Sequence, residues 1–180
     1  GFQAVWLGNE PYILTSGFSS GQREMSLFDR RSLGSALKTV FIDNGSLPIY
    51  PYYVPENKLV FLCGKGDRNI KTMEMEFGTN SCNVHHMNDF SSNEAHRAIY
   101  PMPRSMVDVR RCEVARFIKL TPQNSVQSLS MIVPRKNLEL FHEDLYPNEP
   151  SDEPVTNVST WSKSQDPLQP KLISRKPENM

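Results

Sequence analysis

His85, His86 and Asp89 form the group of side chains that most resembles a metal site or a general-base site. The two histidines are adjacent within residues 83–87, a segment with strand character. Because neighbours on a strand point to opposite faces, the pair cannot bind one ion without a bulge. We therefore expect ordinary surface or core histidines here, and no metal site.

Gly64-Lys65-Gly66-Asp67 resembles a phosphate-binding loop only in its glycines. It is shorter than the GxxxxGK[ST] loop, and no helix pattern follows it. The segment instead predicts a tight turn in which Gly64 and Gly66 accept positive φ angles. Asp67 is expected to cap that turn by accepting hydrogen bonds from nearby backbone amides.

Nucleophilic chemistry is not indicated by the remaining candidates. Cys63, Cys82 and Cys112 contain no CxxC pair and are too widely spaced for a zinc site, so we expect buried, reduced thiols. No GxSxG elbow or comparable setting activates a serine. We assign no catalytic, cofactor-binding or metal-ligating residue and expect a protein that is not an enzyme.

Composition narrows the class of protein further. The 180 residues carry 20 Lys plus Arg and 20 Asp plus Glu, a formal net charge of zero that argues against nucleic-acid binding by bulk charge. The longest apolar run, residues 59–63, is strand-sized and far below the roughly 20 residues of a membrane span. Fourteen prolines against nine glycines favour short elements joined by turns.

The elements that position these residues are predicted to be short strands separated by turn signals. They are residues 3–7, 12–16, 23–29, 37–42, 47–53, 58–63, 69–75, 83–87, 95–102, 113–120 and 126–133. No helical period intervenes, so the sequence predicts an all-β array.

Spacing along the chain predicts a β-propeller. Phe28-Asp29, residues 69–75 and Ala115-Arg116-Phe117 recur about every 40–45 residues, which is typical of four-stranded WD-repeat blades. Phe28-Asp29 is a degenerate version of the Trp-Asp signature. Residues 1–133 supply about three blades, whereas closed propellers use about four to eight.

Three blades stacked alone would expose two sheet faces and unpaired edges. We therefore expect this chain to be part of a ring, or to pair with other copies. The chain also starts directly in strand-like sequence at Gly1, which suggests a piece of a longer protein.

Residues 134–180 differ in character from the predicted blades, because they are rich in proline and poor in apolar residues. We expect an extended arm that packs on the propeller; a disordered tail is the alternative. Its expected apolar anchors are Leu138, Leu140, Phe141, Leu145, Tyr146, Trp161, Leu168, Leu172 and Ile173.

Several motifs, in one order along nearly the whole chain, resemble the coronin family. Residues 12–19 with 23–29 resemble its fifth blade, residues 59–67 its sixth blade, and Cys112 to Phe117 a strand of its seventh. Val133-Pro134-Arg135-Lys136 and residues 141–147 resemble the coronin C-terminal extension, and Trp161 with residues 172–174 match its end.

The resemblance implies the last three or so blades of a seven-bladed WD-repeat propeller, residues 1–133, followed by a C-terminal extension, residues 134–180. It also implies an actin-filament-binding cytoskeletal regulator without a catalytic centre, acting with the branched-actin nucleating complex and cofilin in the cytoplasm and the actin-rich cortex. Two parts of the family pattern have no counterpart in this sequence. They are the N-terminal blades, which carry an arginine implicated in filament binding, and the C-terminal coiled coil.

Basic residues are the candidates for partner binding, since an actin filament presents an acidic surface. We select Lys65, Arg68, Arg104, Arg110 and Arg111. The alternatives are a solvated rim paired with Glu113, Asp108 and Glu139, or basic residues that hold the arm, as Arg135 and Lys136 would by position. The rival functions are a scaffold or trafficking adaptor without actin contact, and a truncated product without its own activity.

Overall fold

The computed structural model describes residues 2–79, 81–151, 153–163 and 168–179. Gly1, where the strand-like sequence begins, and Pro167 of the arm lie outside these residues. Three antiparallel sheets follow one another along the chain. The first contains β1 (Phe2–Trp6), β2 (Tyr12–Ser19), β3 (Gln22–Asp29) and β4 (Lys38–Asn44), hydrogen-bonded in chain order.

The second and third sheets repeat this meander. The second contains β5 (Ile49–Val54), β6 (Leu59–Gly64), β7 (Asn69–Phe77) and β8 (Cys82–His86), with β9 (Phe90–Ser91) pairing with the start of β7. The third contains β10 (Ala98–Pro101), β11 (Glu113–Leu120) and β12 (Val126–Ile132). Short 3₁₀ turns at Arg104–Met106 and Val109–Arg111 join β10 to β11.

Within its described residues, the arm contains two very short strands and one helical turn. β13 (Glu149–Pro150) pairs with β14 (Leu172–Ile173), which closes a loop that carries helix α1 (Val158–Trp161). The Asn57 amide donates to the Leu145 carbonyl over 2.9 Å, so the arm contacts the second sheet as well as the third.

Local sequence accounts for the hairpins. Ser20 and Gly21, which join β2 to β3, both have positive φ angles (53° and 80°), and this pair of angles matches the right-handed twist of the flanking strands. All the predicted strands of residues 3–133 are confirmed; the sequence did not indicate β9, β13, β14 or helix α1.

β6 holds the stack together because both of its faces are buried. Val60 and Leu62 pack into a core shared with the first sheet. Phe61 and Cys63 point the other way, into a core shared with the third sheet and the arm. This explains why residues 59–63 read as a continuous apolar run, a pattern typical of a strand covered on both sides.

The two outer faces of the stack are open, as expected for part of a propeller. Phe2 is 73% exposed on the outer face of the first sheet, and Tyr100 is 71% exposed on that of the third. β12 has no outer neighbour within the described residues. Nothing in the described ranges is a helix both long and apolar enough to span a membrane.

One predicted repeat position was wrong. Phe28-Asp29 ends β3 and residues 69–75 lie in β7, and both are third strands of their sheets. Ala115-Arg116-Phe117 instead lies in β11, the second strand of its sheet. The long connection from residue 102 to 112 separates the first two strands of this sheet, so the sequence spacing does not keep the repeat in phase.

Candidate protein-interaction surface

The loops of the three sheets gather at two opposite ends, which we call the loop face and the arm face. The loop face consists of residues 20–21, 45–48, 65–68, 92–97 and 121–125, joined by backbone hydrogen bonds such as Lys65 to Pro48 and Gly66 to His96, each 2.9 Å. The arm face consists of residues 7–11, 55–58, 102–112 and the arm. The six residues of β6 separate the faces by about 17 Å at about 3.3 Å per residue.

The five predicted partner-binding residues do not form one site. Lys65 and Arg68 are exposed on the loop face. Arg110 and Arg111 are exposed on the arm face, in a 3₁₀ turn where the Asp108 side chain accepts a hydrogen bond from the Arg110 amide. Arg104 lies near them but is largely buried against the arm.

Arg104 holds the arm instead of presenting a free charge. Its guanidinium donates to the Val114 carbonyl and, over 3.0 Å, to the Leu145 carbonyl, and it lies 5.3 Å from the centre of the Tyr146 ring. Burial lowers the pKa of Arg104. The side chain therefore tethers the arm to the third sheet, as we expected of Arg135 and Lys136.

Glu149 on β13 has a buried carboxylate that pairs with two arginines. Arg104 Nε lies 3.7 Å from Glu149 Oε2, and Arg175 contacts the other carboxylate oxygen. Arg104 belongs to the third sheet's β10–β11 connection, and Glu149 and Arg175 belong to the arm, so this ion triad joins the arm to the third sheet. Separating the three side chains would leave a buried charge unpaired, which is costly. Arg135 adds an ion pair with Asp144 within the arm.

The apolar anchors of the arm are only partly those predicted. Leu145 and Tyr146 are buried, and Phe141 stacks on Tyr146 with ring centres 5.6 Å apart. The Tyr146 hydroxyl donates to the Glu113 carbonyl over 2.8 Å. Trp161 is 69% exposed, so its predicted burial was wrong; Leu138, Leu140, Leu168 and Leu172 are also exposed. Ile173 is half-buried.

The turn at Gly64-Lys65-Gly66-Asp67 joins the first two sheets. Asp67 Oδ2 accepts a 2.8 Å hydrogen bond from Arg23 Nη2, and Arg23 also pairs with Asp43 through Nε at 2.6 Å. Arg23 is buried, and the hydrogen bond that it donates to Asp43 is the main reason that its pKa is raised. The prediction that Asp67 caps its own turn was wrong, because its carboxylate is bound by Arg23.

The two glycines of this turn are needed for different reasons. Gly66 has φ of +82°, a conformation that side chains disfavour, as predicted. Gly64 has no positive φ, so that prediction was wrong for it. A Cβ at Gly64 would instead collide with the Asp67 carboxylate and the Arg23 guanidinium.

Two further predicted motif residues make local ion pairs. Arg116 Nε donates to Glu113 Oε1 over 2.8 Å, and Glu113 is fully buried. Burial alone would raise the pKa of Glu113, but hydrogen bonds from Arg116 and the Asp108 amide hold it below its usual value. Phe28-Asp29 ends β3, where hydrogen bonds from Arg31 lower the pKa of Asp29 to about 2.

The side chains with possible metal or redox chemistry are separated. His85 contacts Glu76 over 2.9 Å and His86 contacts Asp89 over 2.7 Å, on opposite faces of β8. Among the described residues, no three His, Cys, Asp or Glu side chains lie close enough to hold a metal. The three thiols are free and buried, and burial raises the pKa of Cys82 to about 11.

Sequence reasoning missed Arg23, His96, Arg97 and Glu149. A signal was available for Arg23, since it shares the period-2 face of Met25 and Leu27 and a charge on a core face must be paired. No comparable signal identifies Glu149, whose partners lie 45 residues before it and 26 residues after it.

Comparisons with known proteins agree with this architecture. A family model described as a type of WD40 repeat matches residues 126–167, which include β12 and much of the arm. The solved WD40 domain of Toxoplasma gondii coronin has a TM-score of 0.85 over 98% of this chain, with 28% sequence identity. The chain spans 45% of that solved chain. The protein is therefore a coronin-like WD-repeat protein that contains part of a β-propeller.

Proposed function

We propose that the chain is part of an actin-filament-binding cytoskeletal regulator of the coronin type, acting by surface contact and not by catalysis. The observation that carries this proposal is the likeness to a coronin WD40 domain over 98% of the chain. The branched-actin nucleating complex and cofilin would be further partners of this protein. Its location would be the cytoplasm and the actin-rich cortex. The remaining blades, or other copies, would cover the open sheet faces.

The loop face is the better candidate for the filament contact. Within the described residues, Lys65 and Arg68 form no ion pair, and Arg97 contacts only the neutral Asn124 amide oxygen. The nearby carboxylates of Asp43 and Asp67 share Arg23, so these three side chains together carry one net negative charge against the three cations. This leaves a local excess of positive charge, which attracts an acidic partner.

The arm face offers less free positive charge. The guanidinium of Arg104 pairs with Glu149, and that of Arg116 pairs with Glu113. Asp108 lies beside Arg110 and Arg111 and caps their turn. Carboxylates among these cations reduce the attraction for an acidic surface.

Filament co-sedimentation tests the proposal with a matched pair of double variants. Lys65→Gln with Arg68→Gln and Arg110→Gln with Arg111→Gln each remove two positive charges, from opposite faces. We expect the wild-type chain to pellet with filaments at about 50 mM salt and less at about 200 mM, because screening weakens exposed charge pairs. The loop-face variant should pellet less, and the arm-face variant should match wild type.

Failure of the folded wild-type chain to pellet at either salt concentration contradicts filament binding by these blades. If both double variants lose filament binding equally, the filament contact is not specific to the loop face. Binding of a non-actin partner without filament binding would favour the scaffold function.

A further inference from the structure

We propose that the cavity lined by Lys65, His96 and Arg97 on the loop face binds a glutamate side chain from an acidic segment of a partner protein. The inference deepens the proposed function, since it names the chemistry recognised on the same face. It rests on that function only for the identity of the partner.

The cavity lies at the seam between the second and third sheets. It has a volume of about 290 Å³ and is lined by Tyr50, Tyr52, Lys65, His96, Arg97, Ala98 and Ile99. Both sheets that form it are present in this chain, so the site is complete without further blades. At the low end of the roughly 300–1,000 Å³ typical of ligand pockets, it suits one side chain better than a cofactor.

Its polar groups are donors without a counter-charge. In the described part of the chain, Lys65 Nζ forms no ion pair, and Arg97 donates only Nη1, to Asn124 Oδ1 over 3.1 Å. No Asp or Glu is among the lining residues. The Tyr52 hydroxyl is already committed to the Ile99 carbonyl over 2.9 Å. A carboxylate entering the cavity therefore meets two cations and no carboxylate among the lining residues.

His96 provides the independent observation that the cavity lacks a partner. Its side chain is fully buried, and among the described residues neither ring nitrogen makes a hydrogen bond of good geometry, although the Gly64 backbone lies close enough to oppose the lowering of its pKa by burial. Its backbone brackets the Asp67 turn, with His96 N donating to Asp67 O over 2.9 Å, but the Asp67 carboxylate is turned away to Arg23. Buried polar groups are rarely left unpaired, so an imidazole in the lining of a cationic cavity favours an incoming acceptor.

The opposite wall selects glutamate over a bare anion. The Tyr52 ring, Ala98 and Ile99 supply apolar surface beside the charged groups. The two methylene groups of a glutamate side chain would pack there while its carboxylate reaches Lys65 and Arg97. Inorganic phosphate has no apolar part to bury and should bind more weakly.

The test is an NMR titration of the isotopically labelled chain with the peptide Ac-Glu-Glu-Glu-Glu-NH₂. Ac-Gln-Gln-Gln-Gln-NH₂ has the same shape without charge, and inorganic phosphate tests a generic anion. We expect saturable shifts of His96, Lys65 and Arg97 side-chain signals with the glutamate peptide alone. Lys65→Gln and Arg97→Gln should each weaken binding about tenfold, and Arg68→Gln, on the same loop but outside the cavity, less than about twofold.

The proposal is overturned if the glutamate peptide does not bind, if phosphate or the glutamine peptide binds as tightly, or if Arg68→Gln weakens binding as much as Lys65→Gln. Backbone spectra of each variant check that its fold is intact. Peptide binding with the expected pattern in a chain that does not pellet with filaments would support this site and contradict the actin proposal. Filament pelleting without peptide binding would support the actin proposal and contradict this site.

Discussion

Arg23 on β3 and Asp67 in the β6–β7 turn are joined across two sheets by a 2.8 Å hydrogen-bonded ion pair. Arg23 also binds Asp43 on its own sheet, so two carboxylates share one buried guanidinium. Lys71, 3.9 Å from Asp43 and 3.3 Å from Asp89, extends the network along the second sheet. Adjacent blades are thus tied by charge at the loop face as well as by the apolar core beneath it.

Replacement of Arg23 by Met should destabilise the chain by about 3–5 kcal/mol, because it leaves Asp43 and Asp67 without their shared partner. Urea unfolding followed by tryptophan fluorescence measures the change. Adding Asp67→Asn to Arg23→Met should restore part of the loss, since it removes one of the two stranded charges. If the double variant is no more stable than Arg23→Met, the Asp67 pair contributes nothing.

Gly64→Ala should destabilise the protein by about 1–3 kcal/mol, because the added methyl group displaces the Asp67 carboxylate from Arg23. Gly34→Ala is the matched control: Gly34 has open space around its Cβ position and no positive φ. That change should be neutral or stabilise by up to about 1 kcal/mol. Equal effects in thermal unfolding would refute the steric role of Gly64.

Tyr146→Ala should cost about 3–5 kcal/mol, because it removes a buried ring, its stacking on Phe141 and its hydrogen bond to Glu113. Trp161→Ala should change the free energy of unfolding by less than about 0.5 kcal/mol, as is usual for an exposed side chain. Comparing their urea midpoints separates the two. A large loss from Trp161→Ala in the isolated chain would mean that the tryptophan is buried after all.

Stability should fall as the pH drops below about 6.5, the ordinary pKa of histidine. Burial is the main reason that the pKa of His96 is lowered. Lys119 acts in the same direction, whereas Asp67 and the Gly64 backbone act in the opposite one. The unfolded chain therefore takes up a proton at a higher pH than the folded chain does, and acid favours unfolding. Stability from this residue is fully present above about pH 6.5 and declines below it.

Urea midpoints at about pH 7.5 and about pH 5.5 test this effect. His96→Asn should lose most of the pH dependence, whereas His85→Gln, which changes an exposed histidine, should keep it. An unchanged pH dependence in His96→Asn would show that other groups cause it.

Much of the fold followed from local sequence. Alternation along residues 23–29 accounts for Met25 and Leu27 sharing the buried face of β3, because side-chain direction in a strand depends only on position along the chain. The unbroken apolar run of β6 is explained by burial on both sides, which only the structure revealed. The spacing of the repeats, about 40–45 residues, indicated four-stranded blades. It failed at Ala115–Phe117, where the long 102–112 connection shifts the count by one strand.

The amino-acid sequence by itself determined the strands of residues 3–133, since strand character depends on neighbouring residues. Only the tertiary structure decided which charges are free. Lys65 and Arg104 look alike in the sequence, but Arg104 is buried with Glu149 whereas Lys65 lines an open cavity. The Asp67 carboxylate binds Arg23, 44 residues away in the sequence, and does not cap its own turn. The packing of the sheets and the arm in three dimensions determines which charged residues meet. The spacing of these residues along the chain does not predict it.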